Sequence, residues 1–130
     1  MNDTDDQKLN SDFRALRDSR YPVHRIADQL EPYLRAIVKR FHPEKIILFG
    51  SQAYGEPGED SDVDLLVVRR DLGSERRSNL EIYRALDDLR GANLSFTVLS
   101  RSPERLRAEL AAGSSFHEEI LSRGVTLYAA

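Results

Sequence analysis

The sequence predicts an α/β (α+β) fold in which a small mixed β-sheet packs against helices. Short apolar runs typical of strands occur at 45–49, 62–69, 93–100 and 125–128. Segments with apolar residues at helical spacing lie before, between and after these runs. The length of 130 residues suits one domain with a single core.

The N-terminal segment 1–20 is polar and charged, and Phe13 and Leu16 are its obvious apolar anchors. We expect a loose arm over these residues, with one helical turn around 12–18. The folded domain is therefore predicted to cover residues 21–130.

Apolar residues recur at helical spacing over 23–41. Pro32 interrupts this pattern because proline has no N–H to donate to the carbonyl of Asp28. Either two helices meet at Pro32 or one helix is kinked there. A buried strand over 45–49 (KIILF) is then introduced by His42-Pro43.

Residues 50–61 are predicted to form a loop, with a helical turn over 51–54. The strand at 62–69 follows, and its side chains alternate between the two faces of the sheet. One face carries Asp62, Asp64, Leu66 and Val68, and the other carries Val63, Leu65 and Val67.

The C-terminal half reads as helix, strand, helix, helix and strand. A helix is predicted over 74–90, stopped by Gly91, and a strand over 93–100. Ser102-Pro103 has the residue types of a helix start, and that helix should run to about residue 112. A last helix over 116–123 precedes Gly124 and the strand 125–128.

Composition excludes several classes of site. The chain has no cysteine, which rules out disulfides, thiolate zinc sites and cysteine nucleophiles. A net charge of -3 argues against tight, non-specific binding of nucleic acid, which needs a basic surface. No apolar run approaches the ~20 residues that span a bilayer, so we expect a cytoplasmic protein without a membrane partner.

Asp62 and Asp64 place two carboxylates on one face of a strand end. Two such charges about 5 Å apart repel by roughly 3 kcal/mol at an effective dielectric of 20. A cation between them would offset this cost, and oxygen ligands suit a hard ion such as Mg²⁺. An isolated Asp-x-Asp also occurs where both side chains simply face water, so the pair alone does not decide.

The Gly50-Ser51 pair at the end of the preceding strand adds a second feature. Glycine at a strand end allows a ligand to approach the backbone closely. The serine hydroxyl and the amides of a helix start are suited to phosphate. A lone Gly-Ser is usually an ordinary tight turn, so its combination with the aspartate pair is the informative observation.

The stretch GSQAYGEPGEDSDVDLLVV resembles the signature of the DNA polymerase beta-type nucleotidyltransferase superfamily. PEKIILFGSQAYG, SDVDLLVV and EEILSRGVTLY occur in the expected order, so the resemblance covers residues 23–128. In particular, the chain resembles the small, single-domain minimal nucleotidyltransferases of prokaryotes. The resemblance implies a polymerase beta-like nucleotidyltransferase fold.

The resemblance also implies a reaction, the transfer of a nucleoside monophosphate from a nucleoside triphosphate to a hydroxyl or similar acceptor. Gly50, Ser51 and Ser61 would bind the nucleotide, with AMP the expected group transferred. Asp62 and Asp64 would be the catalytic and metal-binding residues, holding one or two Mg²⁺ ions.

The sequence departs from the family pattern on the strand 93–100 (NLSFTVLS). Family enzymes carry a third carboxylate there, which helps to hold the metal that activates the acceptor. Ser95 is the likelier aligned position and Thr97 the other candidate, and neither is acidic. A hydroxyl ligates Mg²⁺ weakly and adds no charge. Gln52 also stands where many relatives have a basic residue.

Two functional hypotheses follow. One is an active Mg²⁺-dependent nucleotidyltransferase that acts as an antitoxin, because minimal proteins of this type often pair with HEPN-type RNase toxins. The other is a catalytically impaired pseudoenzyme that binds a nucleotide or a protein partner. Tyr54, near the Gly-Ser pair, could stack on a base or merely cover the loop.

Overall fold

A computed structural model describes residues 13–58, 61–89 and 94–130. The described helices are α1 (Ala27–Phe41), α2 (Ser51–Tyr54), α3 (Glu75–Asp87), α4 (Pro103–Ala111) and α5 (Ser115–Arg123). The described strands are β1 (Lys45–Phe49), β2 (Val63–Val68), β3 (Phe96–Arg101) and β4 (Val125–Ala129). Two 3-10 turns, Arg14–Arg17 and Pro22–Ile26, precede α1. The predicted α+β fold is confirmed.

The four described strands form one sheet in the order β3-β2-β1-β4. β1 is antiparallel to both β2 and β4, whereas β2 and β3 are parallel and are connected through α3. The sheet is therefore mixed, as predicted. The C-terminal end of β1 and the N-terminal ends of β2 and β3 lie at the same edge of the sheet.

Alternation along β2 distributes its side chains between two hydrophobic clusters, as predicted. Val63, Leu65 and Val67 pack in a large cluster with side chains of α1 and α3. Leu66 and Val68 pack in a smaller cluster on the opposite face, against Ile120 of α5. Because Asp64 alternates with Val63 and Leu65, its side chain belongs to the face covered by α5.

Helix α1 is continuous through Pro32, which settles the two alternatives left open by the sequence. Leu30 and Leu34 on either side of the proline are fully buried, so packing against the sheet offsets the lost backbone hydrogen bond. The helix ends at His42, which adopts a left-handed conformation with φ of 47° and donates its N–H to the carbonyl of Val38.

Serine caps begin α3, α4 and α5. The side chains of Ser74, Ser102 and Ser114 accept hydrogen bonds from backbone N–H groups in the first turns of these helices. The predicted cap at Ser102 is thereby confirmed. Helix α3 also covers the outer edge of β3, because the N–H of Val98 donates to the Tyr83 hydroxyl at 2.7 Å.

The N-terminal residues that the structure describes are packed rather than loose. The predicted helical turn is present as the 3-10 turn Arg14–Arg17, and both anchors, Phe13 and Leu16, are buried in the main core. The ring of Phe13 lies 6.1 Å from that of Tyr128 in β4. Residues 1–12 lie outside the described residues, and the boundary at residue 21 stays a prediction.

The third strand is shorter at its start than the sequence predicted. β3 begins at Phe96 because side-by-side pairing with β2 starts at Val63 and Phe96. Ser95 contributes only its carbonyl, which accepts from the Val63 N–H at 2.8 Å. Asn93 and the predicted helix stop at Gly91 lie outside the described residues. None of the described helices has the length and apolar character needed to cross a membrane.

Candidate functional site

The end of β1 brings the backbone of Gly50 against the carboxylate of Asp64. Phe49 and Asp64 are register partners on the antiparallel strands β1 and β2. Gly50 has φ of 74° and ψ of -158°, a conformation that is open almost only to glycine. A Cβ on Gly50 would overlap Oδ2 of Asp64 and stand 3.1 Å from its Cγ. Both its conformation and its surroundings therefore require glycine at this position.

The predicted helical turn after Gly50 is confirmed as α2. The N–H groups of Ala53 and Tyr54 donate to the Gly50 carbonyl at 3.0 and 3.1 Å. Gly55 closes the turn, because a Cβ there would lie 2.7 Å from the Ser51 Cα. The two glycines thus hold Ser51 at the edge of the sheet where Asp64 lies.

Asp64 is the second residue of β2, whereas Asp62 lies just before the strand, which begins at Val63 and not at the predicted residue 62. Asp62 is exposed and Asp64 is half-buried. Partial burial raises the pKa of Asp64, and the negative charge of Asp62 raises it further. A hydrogen bond from the Thr97 side chain acts in the opposite direction. Ionised Asp64 is therefore in an unfavourable environment that a cation would improve.

The structure places Thr97 beside Asp64. The two residues are register partners on the parallel strands β2 and β3, and the Thr97 hydroxyl hydrogen-bonds the carboxylate. Ser95, the other candidate for the absent acid, is exposed and precedes β3. Within the described part of the chain, no three acidic or histidine side chains gather into a group that could hold a metal.

Ser61, predicted as a nucleotide-binding residue, closes a turn just before Asp62. Its hydroxyl accepts a hydrogen bond from the Gly58 N–H at 2.7 Å, and its own N–H donates to the Gly58 carbonyl at 3.3 Å. Its role toward a nucleotide stays a prediction. Glu59 and Asp60, the acidic residues before it, lie outside the described residues.

Two residues of α5 border this edge of the sheet and were not singled out by sequence reasoning. The Arg123 guanidinium lies over the Tyr54 ring, 4.3 Å from its centroid. The Phe116 ring lies 5.9 Å from that of Phe49 in an edge-to-face arrangement. Their helical spacing is visible in the sequence, but the surface that they face depends on how α5 crosses the sheet.

The family model for the polymerase beta nucleotidyltransferase domain matches residues 33–130, which is most of the chain. The chain belongs to the polymerase beta nucleotidyltransferase family. The resemblance seen in the sequence is thereby confirmed, and a nucleotidyltransferase-type function is supported.

A solved structure of a Sulfolobus solfataricus protein assigned as a nucleotidyltransferase is also similar. The match covers 99% of this chain and 90% of that one, with 15% sequence identity and a TM-score of 0.49. Family membership rests on the match over residues 33–130. No protein with a curated description matches the chain.

The residues at this site fit a hard divalent cation. Asp64 of β2 and Asp62 just before the strand supply carboxylate oxygens, and their unfavourable charge arrangement would be relieved by a cation. Thr97 supplies a neutral hydroxyl beside Asp64, at a position where a third carboxylate would complete a set of three acidic metal ligands. The arrangement therefore provides the donors for one Mg²⁺ that also binds phosphate oxygens.

Asp64→Asn is expected to increase the free energy of unfolding at pH 7 in the absence of Mg²⁺. The raised pKa means that the folded state favours the protonated carboxyl, so ionisation costs stability as pH rises through the folded-state pKa. The gain should shrink as the pH falls through the raised folded-state pKa, and it should vanish below the ordinary carboxyl pKa of about 4, where Asp64 is protonated in the folded and the unfolded state. Denaturant unfolding at several pH values measures both effects.

Asp71→Asn, at an exposed position, is the matched control and should shift stability by less than about 0.5 kcal/mol at any pH. A uniform loss of stability in Asp64→Asn across the pH range would show that the carboxylate is structurally favourable, contrary to this description.

Proposed function

We propose that this domain is a Mg²⁺-dependent nucleotidyltransferase, acting in the cytoplasm, that transfers a nucleoside monophosphate from a nucleoside triphosphate to a hydroxyl acceptor. AMP from ATP is the expected group. The observation that carries the proposal is the contact between Gly50 and Asp64, with Asp62 near enough for its charge to raise the pKa of Asp64. It brings a backbone turn suited to phosphate next to two carboxylates suited to a cation.

Each residue has a distinct part in this proposal. The backbone of Gly50 and Ser51 would bind the triphosphate, next to the Asp64 carboxylate that lies against Gly50. Asp62 and Asp64 would hold the cation, which supplies charge neutralisation at the phosphoryl oxygens when bound. The contribution of the protein is mainly to position the triphosphate and to compensate its charge.

A HEPN-type RNase toxin is the proposed acceptor and partner. This part rests on the resemblance to minimal nucleotidyltransferases that act as antitoxins, either by adenylylating the toxin or by binding it. The exposed position of Asp62 at the sheet edge is compatible with a large acceptor, since a protein side chain must reach the bound nucleotide.

A second candidate function is favoured by one specific observation, the threonine beside Asp64. Thr97 donates a hydrogen bond to the carboxylate but adds no negative charge for a second metal. A protein of this kind would bind the nucleotide or the toxin with little turnover. The two candidates share the site and differ in whether a nucleotidyl group is transferred.

Incubation with Mg²⁺, radiolabelled ATP and a HEPN-type toxin, the proposed acceptor, is expected to transfer label to the toxin. Asp62→Asn combined with Asp64→Asn should reduce labelling by at least about a hundredfold, because the cation loses both carboxylates. Labelling that persists in the double variant would contradict the assignment of these residues. Toxin neutralisation by an equally folded double variant, without any labelling by the wild type, would establish the second candidate instead.

Thr97→Asp is expected to tighten Mg²⁺ binding in the presence of ATP and to raise the transfer rate by about tenfold or more. The new carboxylate would stand beside Asp64 in the parallel register and complete a set of three acids. Thr97→Asn is the uncharged control, and Ser95→Asp tests the neighbouring position. Unchanged Mg²⁺ affinity in Thr97→Asp, with a larger gain in Ser95→Asp, would move the third-ligand position to residue 95.

A further inference from the structure

Phe116, in the first turn of α5, exposes an unusually large part of an aromatic side chain. Its relative exposure is 46%, and only Leu80 and Leu121 are comparable among the large apolar residues that the structure describes. It is held in place by edge-to-face contacts with Phe49 at 5.9 Å and with His117 at 5.4 Å. A half-exposed ring that packs against another aromatic ring is suited to stack on a further planar group.

The position of Phe116 relates it to the proposed nucleotide site. Phe49 is the register partner of Asp64, and directly opposed residues on antiparallel strands have Cβ atoms about 5 Å apart. Phe116 therefore packs on Phe49, the residue that stands opposite Asp64, the proposed metal-binding residue. Phe49 is also followed directly by Gly50, where the triphosphate is proposed to bind.

The same side of α5 faces this edge along its length. Arg123 follows Phe116 by seven residues, which is two helical turns, so the two side chains share one side of the helix. Arg123 reaches Tyr54 of α2, the helix that begins directly after Gly50. Leu121 projects differently and lines a groove near Lys45 and Val68, at the opposite end of the sheet.

We propose that Phe116 is the base-stacking residue of this domain and receives the nucleobase of the triphosphate whose phosphates bind at Gly50 and Ser51. The inference rests on the proposed function. Tyr54 is the less suitable platform, because it is half-buried and the Arg123 guanidinium already lies over its ring. Stacking recognises the flat face that all bases share, so Phe116 contributes affinity for the nucleoside with a preference for the larger purines.

Calorimetric titration with two Mg²⁺-bound ligands tests this assignment. ATP carries a base, whereas inorganic tripolyphosphate offers the phosphates alone. Phe116→Leu keeps an apolar cover over Phe49 but removes the aromatic face, so it should weaken ATP binding about tenfold and leave tripolyphosphate binding unchanged. Phe116→Trp should retain ATP affinity, and Leu121→Ala, on the same helix and 39% exposed, should affect neither ligand.

The outcomes separate this inference from the function on which it rests. Equal affinity of wild type and Phe116→Leu for ATP, or an equal loss for both ligands, would overturn the role of Phe116. Wild-type protein that binds tripolyphosphate as tightly as ATP would overturn it while leaving the phosphate site intact. If neither ligand binds to the wild type, the proposed function fails together with the inference.

Discussion

The close approach of the Gly50 backbone to the Asp64 carboxylate is the constraint on which the site depends. It requires β1 to end at Phe49, in register with Asp64, and it requires a residue without a side chain at a positive φ. The chain can then turn directly into α2 and present Ser51 at the same edge of the sheet. A side chain at position 50 would displace the carboxylate and separate the two halves of the site.

The negative charges of Asp62 and Asp64 lower the stability of the folded state. β2 is otherwise apolar, with its valines and leucines buried on both faces, yet two like charges lie at its start, Asp64 in the strand and Asp62 just before it. The pKa of Asp64 is raised by burial and by Asp62, and a single hydroxyl from Thr97 is the compensation described. Local disagreement with the requirements of the fold is expected where residues are retained for binding or chemistry. The chain belongs to the polymerase beta nucleotidyltransferase family, and this membership is consistent with acidic residues kept for binding rather than for stability.

The strands and the helix ends could largely be predicted from the sequence, because the residue patterns that mark them are local. Apolar alternation predicted β2 and its two buried faces, and serine and glycine marked the helix ends. The strand register is a long-range property, so the sequence could not show that Thr97, rather than Ser95, stands beside Asp64. The burial of Phe13 within a polar segment also depends on distant partners, here Tyr128. For the same reason, the sequence could not show that Phe116 packs on Phe49, because this contact depends on how α5 lies on the sheet.

The most direct test of the central claim is thermal unfolding of wild type and Gly50→Ala, each with and without Mg²⁺-ATP. A ligand that binds only the folded state stabilises it by RT ln(1 + [L]/Kd), where [L] is the free ligand concentration, and therefore raises its melting temperature. The wild type should show a clear Mg²⁺-dependent increase with ATP, and Gly50→Ala, whatever its own melting temperature, should show none. An equal increase in both proteins would mean that the nucleotide binds elsewhere than at the contact between Gly50 and Asp64.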